Sequence, residues 1–276
     1  MADASPRLGG EGWHDMHRVS DIAEFLASFA PPRLAESWDN VGLLVGGGEQ
    51  QVNRIMTCLT ITPASVAEAV ERRADLIVTH HPLPFRPLKQ LTTGTYEGRL
   101  LLQLIRAAVA VYSPHTAFDS AAEGINQRLA EGLGLNDIQV VTPSTTGDLG
   151  AGRWGTLPGP EPLAEVLDRV KTFLRIEQAQ FVGSLERPVQ SVAVACGSAG
   201  EFATPALALG CDCLVTGEVR FHTCLEAEAS GLALVLAGHY ATERFGVELL
   251  SEVLATQFSS LTCWASQAES DPLQWG

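Results

Sequence analysis

The sequence predicts an α/β protein built as two lobes, on three observations. Strand-like and helix-like segments alternate along most of the 276 residues. A stretch rich in Gly, Pro and Thr, residues 142–162, interrupts them near the middle. The segment Ala74-Asp75-Leu76-Ile77-Val78-Thr79-His80 is echoed by Cys211-Asp212-Cys213-Leu214-Val215-Thr216-Gly217. Each follows a helix, begins its strand beside an aspartate and ends in Thr. The echo fits either a duplicated β-α-β unit or two like solutions to one packing problem.

The elements follow in order. Ser20 can cap a helix over 21–29 that Pro31-Pro32 closes. Ile55, Thr57 and Leu59 alternate in a strand over 54–60. Thr62-Pro63 opens a helix running to about residue 73, with proline in its first turn. Leu76-Ile77-Val78-Thr79 is a short β-branched strand, stopped by Pro82. A helix over 98–108, a strand over 109–113 and a helix over 124–133, ended by Gly134, complete the first run. Val140-Val141 reads as a short strand, and 142–162 as the crossing between lobes. The second run has helices over 163–173, 204–209, 224–230 and 242–258. Its strands lie near 180–182, 191–195, 213–216 and 232–236. One domain over 16–265 is expected: lobe 1 over about 16–141 plus 237–265, lobe 2 over about 142–236. Residues 1–15 are expected to be a flexible arm with no apolar signal region, and 266–276 a tail.

Composition excludes some functions. The net charge of −14 argues against a basic nucleic-acid footprint. The most apolar stretch, near 100–112, is broken by Arg106, short of the roughly 18–20 residues that span a bilayer. Six cysteines form no C-x-x-C pair and read as buried thiols of a reducing, cytoplasmic compartment. Cys211-x-Cys213, whose sulfurs share one side of a strand, is the minor metal-thiolate alternative.

Five of the seven histidines fall beside a strand end or glycine turn: His80, His81, His115, His222 and His239. In an extended chain His80 and His81 point to opposite sides, so they can serve different ions but not easily one. His239 and Glu243 are four apart at a helix start, a spacing that lets paired ligands share a face. The bland reading of Glu243 is an acid favoured by the helix dipole. Asp119, in Pro114-His115-Thr116-Ala117-Phe118-Asp119, is a hard donor suited to Mn, Fe, Zn or Mg, or else the side chain of an Asx-turn. His115 stands as a ligand or as a partner that orients one. Glu218 and His222, again four apart, can be ligands, a proton-shuttling pair or substrate contacts. N and O donors after four strands are what a dinuclear site would need.

Four blocks carry a family resemblance: Glu36-Ser37-Trp38-Asp39-Asn40-Val41-Gly42-Leu43, Val78-Thr79-His80-His81-Pro82, His115-Thr116-Ala117-Phe118-Asp119 and Gly238-His239-Tyr240-Ala241-Thr242-Glu243. In this order and spacing they resemble the NIF3-like (DUF34) family, whose bacterial members are often labelled GTP cyclohydrolase 1 type 2. The resemblance implies two similar α/β lobes, with mixed sheets flanked by helices and a metal site in the cleft between them. It implies two divalent ions (Zn, Mn, Fe, Ni or Mg) held by His80, His81, Asp119, His239 and Glu243, with Glu243 bridging. His115, Asp39 and Asn40 would support these ligands from behind. It also implies a ring-like homohexamer. Thr216-Gly217-Glu218 with His222 fits as a looser block in which the family often has Asp for Glu218, and Thr242 replaces a common Ser. The first functional expectation is a metal-dependent hydrolase of a nucleotide or phosphoester, with Glu218 or His222 moving protons. The alternative is a non-enzymatic metal chaperone, insertase or regulatory scaffold. No P-loop is present to hold a nucleotide.

Overall fold

The computed structural model describes residues 16–144 and 149–274. The expected arm over 1–15 lies outside the described residues. In chain order the elements are β1 (His17–Arg18), α1 (Val19–Phe29), β2 (Gly42–Val45), β3 (Gln51–Val52), β4 (Arg54–Cys58), α2 (Pro63–Glu71), β5 (Leu76–Thr79), α3 (Tyr96–Arg106) and β6 (Ala110–Ser113). There follow α4 (His115–Ser120), α5 (Ile125–Gly132), β7 (Asn136–Pro143), β8 (Gly150–Pro162), α6 (Leu163–Leu174), β9 (Gln180–Val182) and β10 (Pro188–Ser198). The chain continues with α7 (Ala203–Ala208), β11 (Cys213–Glu218), α8 (Phe221–Ser230), β12 (Ala233–Leu236), α9 (His239–Gln257) and β13 (Thr262–Ala265).

Two mixed sheets result. The first has the order β13-β4-β5-β6-β2, parallel except for β2. The second has the order β7-β8-β10-β11-β12-β9, with a parallel centre β10-β11-β12 and antiparallel strands outside it. Each sheet is buried on both faces, which suits the near-continuous apolar runs of its central strands. Helix α9 packs against both: Leu250 and Leu254 join the core of the first sheet, and Ala241 lies against that of the second. No helix of the described residues is long and apolar enough to cross a membrane.

The echo noted in the sequence is a repeated piece of hydrogen bonding. Asp75 accepts from the amides of Asn53 and Arg54 at 2.8 and 3.0 Å, ahead of β4. Asp212 accepts from Gln190 and Ser191, both at 2.9 Å, on β10. Two residues before the aspartate, and again two before the next strand, the chain takes a left-handed turn. Arg73 and Ala108 fill these turns in the first half, Gly210 and Gly231 in the second. The repeat therefore resides in backbone geometry more than in residue identity.

Three expectations are corrected. The first helix starts at Val19, so Ser20 lies inside it; the carboxylate of Asp21 instead accepts the Arg18 amide at 2.8 Å. The stretch 142–162 is not a loose crossing but mostly the long strand β8, paired with β7 and β10. Its glycines suit this place: a Cβ at Gly155 would lie 2.6 Å from the Asn136 carbonyl oxygen. Cys211 and Cys213 join no metal-capable cluster among the described residues. Burial pushes the Cys213 thiol up to about 12, and all six cysteines are free.

The segment after β13 is tied down. Buried Glu68 accepts from Trp264 Nε1 (3.0 Å), Ser266 Oγ (2.6 Å) and the amides of Gln267 (2.9 Å) and Ala268 (3.0 Å). Burial works to raise its pKa, but these donors outweigh burial and hold it below the usual carboxylate value. A depressed folded pKa gives stability that is present above the unfolded value, near 4.3, and lost as pH falls through the folded value. Glu68→Gln, which cannot ionise, should lose about 1–3 kcal/mol at neutral pH. The gap to wild type should narrow as the pH is lowered below about 4. Thermal melts of both proteins across this range provide the check; a gap that stays constant would contradict it.

Candidate metal centre

The site forms where the carboxyl ends of parallel strands from both sheets meet. His80 and His81 follow β5, Asp119 lies on α4 just after β6, and His239 opens α9 after β12 with Glu243 one turn further on. Glu243 is the hub. Its Oε1 lies 3.7 Å from His80 Nε2, which is also 3.7 Å from Asp119 Oδ1. Its Oε2 lies 3.0 Å from His81 Nε2 and 3.1 Å from His239 Nε2. The four-residue spacing of His239 and Glu243 therefore works as a shared helix face.

His80 and His81 address different oxygens of one carboxylate, but their rings are 5.1 Å apart and not on opposite faces. Strand β5 ends at Thr79, so strict alternation ends there too. Among the described residues, two groups of donor atoms, each mutually within 4.8 Å, could hold an ion: His80, His81 and His115, and His81, His239 and Glu243.

Neighbouring residues set the orientation. Thr60 Oγ1 meets His81 Nδ1 at 2.7 Å. Glu218 Oε1 meets His239 Nδ1 at 3.0 Å. Asp39 meets His115 Nδ1 at 2.7 Å and accepts from the amide and hydroxyl of Thr116. Asn40 donates to the carbonyl of Pro84 at 2.7 Å, bracing the loop after the histidine pair. His115 itself has φ of 33°, a left-handed backbone unusual for a non-glycine residue. His222 is exposed on α8, its ring against Phe221, and does not line the cavity. Glu218 ends a strand and His222 sits on the next helix, so their spacing of four does not put them on one helical face.

Electrostatics follow from this crowding. Burial works against the charged form of His80, but Asp119 and Glu243 raise its pKa. Burial lowers that of His81. The close Glu243 carboxylate raises His239 to about 9. Burial pushes Asp119 up, while His80 and His239 hold Glu243 well below the usual range despite burial. At Asp39 the bonds to His115 and Thr116 override burial and lower the pKa.

Two observations suit a metal ion. Both ring nitrogens of His80 and Oε2 of Glu243 are buried without a hydrogen-bond partner. The short approaches to Oε2 are thus close in distance but not aligned as hydrogen bonds, as expected of donors converging on a common centre. In addition, Gly197 (φ 67°) lets the carboxylate in: a Cβ there would lie 2.2 Å from Glu243 Oε1. The cluster opens into a cavity of about 390 Å³ that Trp38, Phe85 and Cys196 also line.

Several supporting residues escaped sequence reasoning. Glu269 accepts from the amides of Leu59 and Thr60 at 2.9 and 2.8 Å, fixing the loop that holds His81. Cys196 donates to Asp119 Oδ1 at 3.2 Å, and Asn126 links the Cys196 amide to the Asp119 carbonyl. No local motif marks them; their partners are distant in the chain.

Fold and site together define an α/β protein whose two mixed sheets bring strand-end histidines and carboxylates into a cluster able to hold metal. The chain belongs to the Duf34/NIF3 (NGG1p interacting factor 3) family, whose model matches residues 17–272. It is similar to the GTP cyclohydrolase 1 type 2 homolog of Clostridium acetobutylicum, 34% identical over 239 residues, or 86% of this chain and 89% of that one. It is 32% identical over 271 residues to the Protein NIF3 homolog of Schizosaccharomyces pombe, covering 92% and 96%. Its fold matches the crystal structure of Staphylococcus aureus protein SA1388 with a TM-score of 0.86 at 26% identity, over 95% and 100% of the chains. A Bacillus cereus protein related to NIF3 matches with a TM-score of 0.87 at 24% identity, over 95% and 99%.

Proposed function

We propose that this chain is a dinuclear metal protein that hydrolyses a nucleotide or another phosphoester. The observation that carries the reading is the division of Glu243 between two sets of donors. Oε1 faces the side of His80 and Asp119, and Oε2 faces His81 and His239. His80, Asp119 and Glu243 would hold one ion; His81, His239 and Glu243 would hold the other. Two divalent ions would supply Lewis-acid polarisation of a phosphoryl oxygen and a water of lowered pKa. They would also give an acidic chain a local positive charge to meet an anion.

The chain's own residues supply orientation and proton handling. Glu218 and Thr60 hold Nδ1 of His239 and His81, which leaves each Nε2 to face inward. Asp39 does the same for His115, whose Nε2 is left to give or take a proton beside the cavity. This gives His115 the proton-moving role that the sequence suggested for Glu218 or His222. The relatives' name points to a nucleotide as the class of substrate. The test is a turnover screen of metal-loaded protein against nucleotides and phosphoesters. Activity on at least one substrate that His115→Gln lowers at least about a hundredfold, with metal content unchanged, is expected. Metal bound fully but no turnover across the panel would favour a chaperone or scaffold instead.

A further inference from the structure

The segment that follows β13 forms a short strap, residues 266–269, across the carboxyl end of the first sheet. Its start continues the pairing of β13 with β4, the Ser266 amide donating to the Thr57 carbonyl at 2.7 Å. Gln267 and Ala268 then hang on the Glu68 carboxylate. The strap ends by delivering Glu269, whose side chain is 3% exposed, to the loop after β4. One carboxylate there spans two consecutive amides, Leu59 on Oε2 at 2.9 Å and Thr60 on Oε1 at 2.8 Å.

Those two residues hold His81 at two points. The Leu59 carbonyl accepts the His81 amide at 2.8 Å, and Thr60 Oγ1 meets the ring at Nδ1 at 2.7 Å. Main chain and ring of His81 therefore both rest on residues that Glu269 pins. The strap also touches α9 beside the next ligand. Tyr240, which follows His239, donates its hydroxyl to the Glu269 carbonyl at 3.4 Å. His80 and Asp119 have separate supports. The His80 amide donates to the Cys58 carbonyl at 2.9 Å, and the His80 carbonyl accepts from Ser113 Oγ at 2.7 Å. Asp119 is held by Asn126 and Cys196. Among the described residues no hydrogen bond joins the strap to either.

We propose that the strap is a positioning element for one ion only, that of His81 and His239, and so sets whether the centre holds one ion or two. The proposal rests on the two-ion reading given above. Polar bonds rather than a packed apolar face hold the strap, and Gln267, Ala268 and Ser270 are exposed. A segment held in this way opens locally at a lower free energy than the core. When it opens, the Leu59 and Thr60 amides lose their acceptor. His81 Nε2 is then no longer fixed at its place 3.0 Å from Glu243 Oε2. The coupling is reciprocal: whatever factor the docked strap contributes to binding that ion, the ion contributes to docking the strap.

Calorimetric titration of metal-free, full-length protein with zinc tests this in two backgrounds. Asp119→Ala retains the ion of His81 and His239, and His239→Ala retains that of His80 and Asp119. Glu269→Gln keeps the shape of the side chain but turns a donor towards one of the two amides. Added to these backgrounds, it should weaken zinc at least about tenfold in the first and less than about twofold in the second. Hydrogen exchange gives the reciprocal reading. Zinc should slow exchange of the Gln267 and Ala268 amides about tenfold in wild type and leave it unchanged in Glu269→Gln. Equal weakening in both backgrounds, or strap exchange indifferent to zinc in wild type, would overturn the proposal. The wild-type exchange measurement decides even if Glu269→Gln fails to fold. If neither single background retains one ion, the two-ion reading fails by itself, and slowed strap exchange still supports the tie between strap and His81.

Discussion

Glu243→Ala should weaken metal binding at least about a hundredfold, and it should do so for both ions together. If the donors act as two sets, every other ligand belongs to one of them. His80 and Asp119 face Oε1, while His81 and His239 face Oε2. Removing Asp119 should therefore spare one ion, whereas removing Glu243 spares neither. Metal analysis after dialysis should fall from about two ions per chain to about one in Asp119→Ala and to near zero in Glu243→Ala. The isosteric Glu243→Gln keeps the shape but loses the charge and one acceptor, and should resemble the alanine variant. Binding of two ions by Glu243→Ala would refute the bridging role. Equal losses in the Asp119 and Glu243 variants would refute the division into two sets. Melting the metal-free proteins separates ligand loss from unfolding, because the metal-free comparison contains no ligation energy.

How much of this site was legible in the sequence depends on the range over which each residue acts. The histidine pair announces itself locally, as an apolar β-branched strand with an abrupt stop at Pro82. His239 and Glu243 are legible for the same reason, since the helix that aligns them begins at His239. Glu218 and His222 have the same spacing, but no continuous helix joins them, and Glu218 instead meets His239 across the chain. Spacing carries meaning only inside one element. Asp39 and Glu269 were legible less or not at all, since each acts across a long stretch of chain: Asp39 on His115, Glu269 on Leu59 and Thr60. The Gly- and Pro-rich composition of β8 concealed a strand for a related reason. Local propensity disfavours it, and pairing with β7 and β10 overrides that preference.

Arg153→Met should destabilise the fold by about 3–5 kcal/mol, although no carboxylate among the described residues pairs with this arginine. Arg153 lies on β8 and is 2% exposed. Its guanidinium donates to Gln127 Oε1 at 2.9 Å, to the carbonyls of Gly150 and Gly152 at 2.7 and 2.8 Å, and to those of Ser120 and Ala121 at 3.2 and 2.8 Å. Every N–H of the fork is thus engaged, mostly by main-chain oxygens. Truncation to a thioether that reaches only about as far as Nε leaves those oxygens buried without donors, which costs more than the bonds contribute when made. Arg153→Lys keeps the charge but has three donors and no planar fork, so its loss should be intermediate. At about 2–4 °C per kcal/mol for a chain somewhat smaller than this one, the methionine variant should melt roughly 10 °C lower. The damage should also reach the metal. Ser120 and Ala121 directly follow Asp119, and the arginine joins that turn on the first sheet's side to a strand of the second. Metal affinity in Arg153→Met should fall even at temperatures where the protein remains folded by circular dichroism. A variant that melts within about 2 °C of wild type and binds metal normally would show that the carbonyls find other donors, and that the turn after Asp119 is held by Asn126 and Cys196 alone.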